Sequence, residues 1–182
     1  MYGYHGKMLH IDLSEQSYCL KPLEALRLQM TVGGVGLGTS LLHEYAPPGV
    51  DPFARDNPIV FASAPLVGTG LTTTAKYAVV TKSPLTGFIA DSLSSSYFAL
   101  ELKKLGSDAL VITGRAVKPI YLFIRNESVE FRDAGPFWGM SPLQTEASIK
   151  KDLRDKEVRI AAIGQAGENR VRFATLSNEG RH

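Results

Sequence analysis

The stretch "GKMLHIDLSEQSYCLKPL" (Gly6 to Leu23) alternates Leu9, Ile11 and Leu13 with polar residues and then turns at Ser14-Glu15-Gln16-Ser17. A period of two ending in a polar turn predicts a β-hairpin with one buried face. The period then changes. Two helices are predicted, from about Leu23 to Met30 and from about Leu37 to Tyr45, with the run "GGVGLG" (Gly33 to Gly38) between them and Pro47-Pro48 as the stop. "NPIVFASAPL" and "KYAVVTKSP" read as buried strands, with Gly68 and Gly70 in the loop that joins them. "TKSPLTG" (Thr81 to Gly87) follows as a turn with a polar tip.

The second part of the chain uses a similar kit. "SSSYFALELKKLG" (Ser94 to Gly106) has helical spacing, with serines placed to cap its start and Gly106 to end it. "DALVITG" predicts a strand, and "PIYLFIRNESVEFRDA" a hairpin turning near Asn126-Glu127. "SPLQTEASIKKDLRDK" predicts an amphipathic helix capped by Ser141, with Pro142 in its first turn. "VRIAAIG" and "RVRFATLS" read as two closing strands around the loop "QAGEN". "HIDLSE" is similar to "LFIRNE", and "IVFASAPLVGTG" before "KYAVVTK" is similar to "VRIAAIGQAGEN" before "RVRFATL". The order hairpin, helix, strand pair therefore occurs twice. The fold class this predicts is α+β: two related, β-rich halves forming a base of two sheets side by side, with a few packed helices. No linker or low-complexity segment divides residues 1–182, so one continuous domain is expected.

Composition narrows the chemistry. Of 182 residues, 44% are hydrophobic and 21% charged, and 20 Lys+Arg against 18 Asp+Glu leave a net charge of +2. That balance provides no global field for nucleic acid or an anionic membrane surface. No run approaches the roughly 20 apolar residues of a membrane span, and the amino terminus lacks the apolar core of a signal peptide. A cytoplasmic location is the expectation. One cysteine, Cys19, excludes an internal disulfide or a Cys-rich metal site built from this chain alone, and it is expected to be a buried or semi-buried strand residue.

The motif search mostly eliminates. In "GGVGLG" a third dinucleotide-type glycine would fall on Thr39, and no Gly-Lys-Ser/Thr follows, so close backbone packing or a flexible turn is the plainer reading. His5, His10, His43 and His182 form no ligand pair, and no nucleophile elbow occurs. Carboxylates sit beside bases in "ELKK", "KKDLRDK" and "EFRDA", the pattern of a solvated face. What remains is a set of hydroxyl- and glycine-rich turns near cations: "VGTGLTTTAK", "TKSPLTG", "DSLSSSY" and "NEGRH". Such turns suit a phosphate-bearing ligand, helped by the positive end of the helix that follows the serines. They equally serve as turns and nothing more.

"YHGKMLHIDLS", "VTKSPLTGF", "ELKKLGSDALVITGRA", "WGMSPLQTEASIKKDL" and "AAIGQAGENRVRFA", taken in order, resemble the amino-terminal domain of tungsten-containing aldehyde:ferredoxin oxidoreductases over essentially the whole chain. The resemblance implies the base on which a bis-pyranopterin cofactor (tungstopterin or molybdopterin) lies. It further implies helical C-terminal domains elsewhere in a longer protein, carrying the [4Fe-4S] cluster ligands and much of the substrate pocket. The implied reaction oxidises aldehydes to carboxylic acids and passes electrons to ferredoxin; homodimers are common in the family. Carried over by position, cofactor contacts fall at Lys76, Leu93, Ser95, Arg181 and His182, with no catalytic acid or base and no metal ligand in this segment. Lys82 is a secondary anion contact. The segment alone is expected to be inactive.

Several positions depart from the family pattern. Lys76 stands where Arg is usual, so a forked guanidinium becomes a point charge. Leu93-Ser94-Ser95-Ser96 stands where Asn-Ser-Gly-Gly is usual, and Arg181-His182 reverses the usual order. These departures support the alternative of a non-enzymatic scaffold derived from the same fold. A generic nucleotide-binding module, lacking a motif, ranks last.

Overall fold

The computed structural model describes residues 2–126 and 128–180. A six-stranded mixed sheet in the order β2-β1-β6-β3-β4-β5 organises the first part of the chain. Its strands are β1 (Lys7–Asp12), β2 (Ser17–Pro22), β3 (Ile59–Ala62), β4 (Lys76–Lys82), β5 (Ile89–Ser95) and β6 (Ala109–Thr113). The β1–β2 and β4–β5 hairpins are antiparallel, whereas β6 inserts between them, parallel to β1 (Leu9 opposite Leu110) and antiparallel to β3.

Alternation along these strands builds a core on each face. On one side, Met8, Val60, Ala62, Ala78, Val80, Ala109 and Val111 meet Leu28 of α1 (Ala25–Thr31) and Leu37, Leu41 and Leu42 of α2 (Gly34–Tyr45). On the other, Leu9, Ile11, Phe61, Tyr77 and Leu110 meet Ala99 and Leu102 of α3 (Tyr97–Lys104). Leu122, Ile124, Val129 and Phe131 of the hairpin β7 (Ile120–Arg125) and β8 (Ser128–Asp133) pack on this second core.

The glycine run belongs to α2 itself, which begins at Gly34 rather than Leu37. Close backbone packing explains it: a Cβ on Gly38 would lie 2.5 Å from Val80 Cγ2, and one on Gly33 would lie 2.7 Å from the Ser63 carbonyl. Glycine is the side chain that fits. The caps also match expectation. Ser96 accepts from the Phe98 amide at the start of α3, and Ser141 with Gln144 forms a reciprocal capping box on α4 (Pro142–Leu153).

Several expectations need correction. "DSLSSSY" is the edge strand β5 and the start of α3, not a turn; its exposed polar residues hide the alternation because an edge strand is wet on both faces. "RVRFATLS" is not a strand apart from β10 (Ser177–Asn178), which pairs with the equally short β9 (Ala161–Ala162). Arg170 takes a left-handed conformation (φ 55°) and Ala174 closes a turn onto Val171, which breaks the extended path. Between them the "QAGEN" loop forms a short helix, α5 (Gln165–Glu168). The second half therefore repeats the order hairpin, helix, strand pair, but as two two-stranded sheets instead of one sheet beside the first. Finally, Cys19 is exposed, because β2 is the other edge of the main sheet.

His10 on β1 makes one stability prediction. Its Nε2 lies 3.0 Å from Thr113 Oγ1 and its ring 5.0 Å from that of Tyr45. Burial, and then the nearby Lys21 ammonium, hold its pKa below the usual value, against a weaker pull from Asp12. A depressed histidine pKa means that the folded state prefers the neutral ring. This contribution is present above the unfolded pKa of about 6.5 and is lost as pH falls through the lower, folded value. His10→Gln is expected to flatten the decline of urea midpoint below about pH 6.5. An unchanged decline would assign it to other groups.

Candidate functional site

Lys76 opens β4 and Ser95 closes β5, and the two are directly paired; Leu93 pairs with Ala78 two residues along. Opposed residues of an antiparallel pair share a face, and Ala78 belongs to the core under α2. Lys76, Leu93 and Ser95 thus stand on the α2 side of the sheet, at the free edge and end of β4–β5. All three are exposed. Among the described residues, the Lys76 ammonium and the Ser95 hydroxyl make no ion pair or hydrogen bond, leaving a cation and a hydroxyl donor side by side. Leu93 offers only its backbone to a polar ligand, because its apolar side chain is 61% exposed.

Arg181 and His182 lie outside the described residues. The segment leading to them, 178–180, reaches the same corner of the sheet from its opposite face. Asn178, only 2% exposed, donates through Nδ2 to the Tyr77 hydroxyl and to Ser94 Oγ, both at 2.8 Å. Tyr77 follows Lys76, and Ser94 lies between Leu93 and Ser95, so strand alternation turns their side chains to the α3 face. Burial pushes the Tyr77 phenol above its usual pKa, opposed by its hydrogen bond with Ser94 and reinforced by the Glu179 carboxylate. Glu179 Oε2 accepts from the Tyr97 amide at 2.9 Å. Sequence reasoning singled out "NEGRH" and "DSLSSSY" but did not find that Asn178 and Glu179 of the one meet Ser94 and Tyr97 of the other, with Tyr77 beside them. The strand register, which brings Tyr77 opposite Ser94, was the available signal.

Two expected contributors are already engaged. Lys82 donates its ammonium to the Val50 carbonyl at 2.6 Å, a pin between the β4 end and the preceding loop, rather than facing out as an anion contact. The positive end of α3 is also used internally, because Ser96 Oγ takes the Phe98 amide and Glu179 takes the Tyr97 amide. Two clefts of about 220 and 330 Å³ flank the start of α4; neither is lined by Lys76, Leu93 or Ser95. Among the described residues no cluster of His, Cys, Asp and Glu could hold a metal ion, and no helix is long and apolar enough to cross a membrane.

The donor set at Lys76 and Ser95 fits the anionic, oxygen-rich phosphate of a pterin cofactor. Buried Asn178 Oδ1, on the α3 face beside Tyr77 and Ser94 and without a partner among the described residues, is an acceptor and would take a donor rather than a phosphate oxygen. Lys76 and Ser95 therefore fit the phosphate end of such a group, and the described residues hold no ligand cluster for its metal.

Residues 8–182 match the sequence profile of the family described as aldehyde ferredoxin oxidoreductase, N-terminal domain. The chain is 44% identical to the tungsten-containing aldehyde ferredoxin oxidoreductase of Pyrococcus abyssi, over 99% of this chain and 30% of that protein. It is 35% identical to the aliphatic sulfonate oxidoreductase WOR-like subunit of Pyrococcus furiosus, over all of this chain and 31% of that protein. The structure of the active site complex BamBC of benzoyl coenzyme A reductase superposes with a TM-score of 0.93 at 35% identity, covering 97% of this chain and 27% of that one. The chain thus spans about 30% of the length of the curated relatives it matches. By profile, identity and fold, it belongs to the aldehyde ferredoxin oxidoreductase family and corresponds to that family's amino-terminal domain.

Proposed function

We propose that residues 1–182 form the cofactor-bearing amino-terminal domain of a tungsten (or molybdenum) bis-pyranopterin oxidoreductase. The observation that carries this reading is the uncommitted pair Lys76 and Ser95, in register at the open corner of β4–β5. In the whole protein, an aldehyde and water give a carboxylic acid with release of two electrons and two protons. A [4Fe-4S] cluster, held by residues outside this segment, would supply the electron-transfer chemistry, with ferredoxin as acceptor. Metal and pterin supply that redox chemistry when bound. Identity to relatives named for aldehydes (41–44%) exceeds that to the sulfonate oxidoreductase (35%), which favours an aldehyde substrate. A cytoplasmic homodimer completes the proposal.

The chain's own residues bind and orient. Lys76 gives the phosphate a cation and Ser95 a hydroxyl donor, while Leu93 contributes backbone and Arg181 and His182 complete the contact set. In the full-length protein, Lys76→Ala is expected to lower metal and pterin content roughly tenfold or more, the loss of one charge-assisted contact. Lys76→Arg should retain both. Content unchanged in Lys76→Ala would remove this residue from the site. The second reading, a non-enzymatic scaffold, rests on the exposed Leu93 at a position meant for a polar contact. Full-length wild-type protein purified without metal or pterin would favour it.

A further inference from the structure

Beyond β10, two successive residues take left-handed backbone conformations, Glu179 at φ 48° and Gly180 at φ 68°. Glycine adopts this region freely, but a residue with a Cβ does so only when its surroundings hold it there. Glu179 is held. Its side chain is only 13% exposed, Oε2 takes the Tyr97 amide, and Oε1 lies 3.3 Å from Arg159 Nη1. The Oε1 contact is ionic and lacks the alignment of a hydrogen bond. Arg159 is fixed in turn, its guanidinium 4.9 Å from the centre of the Tyr97 ring.

Asn178, one residue earlier, grips Tyr77 and Ser94, whose strand neighbours are Lys76, Leu93 and Ser95. Its buried Oδ1 has no partner among the described residues. The Asn178 amide and the Glu179 carboxylate together thus tie the end of the second half to the strands and to the helix start of the first.

We propose that Glu179 and Arg159 form a latch that positions the cofactor-contact corner. The latch fixes the backbone at Gly180 relative to β4 and β5. It also satisfies the start of α3 with an internal carboxylate, so a ligand anion meets Lys76 and Ser95 rather than the helix end. Glu179 and Arg159 are positioning residues and touch no cofactor. The inference rests on the reading of this corner as a cofactor site.

The test uses the full-length protein and two readouts: metal and pterin content per chain, and hydrogen exchange of the Tyr97 amide. Glu179→Ala is expected to speed Tyr97 exchange and lower cofactor content, each roughly tenfold, as loss of one charge-assisted contact allows. Arg159→Ala should act in the same direction, and the double variant should lose little more, because the pair works as one unit. Glu179→Gln, which preserves shape and an acceptor, should retain most Tyr97 protection. Faster exchange with full cofactor content would overturn the positioning role, and unchanged exchange would overturn the latch itself. Wild-type protein empty of cofactor would instead defeat the underlying reading, whatever Tyr97 does. Should Glu179→Ala fail to fold, Arg159→Ala, which removes the ion pair from the other side, gives the same two readouts with the same expected direction.

Discussion

Asp108→Ala is expected to destabilise the protein by about 3–5 kcal/mol, the cost of breaking a buried ion pair by removing one partner. Asp108 is 1% exposed, and Lys103 Nζ lies 2.6 Å from its Oδ1. Oδ2 accepts from the amides of His5 at 3.0 Å and Gly6 at 2.8 Å, while the same lysine donates to the Gly3 carbonyl at 2.9 Å. One carboxylate therefore fastens residues 3–6 to α3 and to the start of β6. Its backbone adds to the joint, since Asp108 N donates to the Lys7 carbonyl and Asp108 O accepts from the Ser63 amide. Alanine would leave a largely buried ammonium and two part-buried amides without that acceptor. Converting both partners, as Lys103→Met with Asp108→Ala, should cost less than the two single changes added, because no lone charge remains. Denaturant unfolding at neutral pH measures all three. A loss below about 1 kcal/mol for Asp108→Ala would mean that water reaches Lys103 and that the pair behaves as an exposed one.

This joint shows where sequence reasoning ran out. "ELKK" has the look of a solvated charged face, and for Lys104 it is one: that side chain is 70% exposed, beside Glu101. Lys103, one residue earlier, turns inward to a carboxylate in another element. Helical geometry makes both orientations available, and only the tertiary partner chooses. The hairpins β1–β2 and β7–β8, the serine caps of α3 and α4 and the end of α3 at Gly106 were legible because each is settled within a few residues. The position of β6 between β1 and β3 was not, because it depends on pairing across about a hundred residues, as with Met8 opposite Ala109. β5 was hidden for a different reason. As an edge strand it buries little of either face, so Asp91, Ser92 and Ser94 could stand in it without an apolar alternation. At the candidate site, residue positions came from the family resemblance; the clasp of Asn178 and Glu179 on the first half is a contact between distant segments and left no local pattern.

Gly38→Ala is expected to cost about 1–3 kcal/mol, the usual penalty of overpacking a filled core, although alanine in an exposed helix interior would gain about 1 kcal/mol over glycine. The reversal of sign has a geometric cause. Gly38 is buried in the middle of α2, and a Cβ there would meet Val80 Cγ2 at 2.5 Å and Val80 Cβ at 3.2 Å. Val80 is fully buried on β4, beneath the helix and between its strand neighbours Val60 and Asp91, so neither it nor the strand has room to retreat. The close approach brings α2 down onto β3 and β4, and β4 carries Lys76 at its start. Pushing the helix away would thus disturb the candidate corner as well as the core. Val80→Ala removes the methyls that the new Cβ would strike. The double variant Gly38→Ala/Val80→Ala should be more stable than the sum of the two single losses predicts, with a coupling of about 0.5–3 kcal/mol. Urea unfolding of the four proteins closes the cycle. A Gly38→Ala protein more stable than wild type would show that α2 can lift from β4 at no cost, and that the glycine is kept there for some reason other than contact.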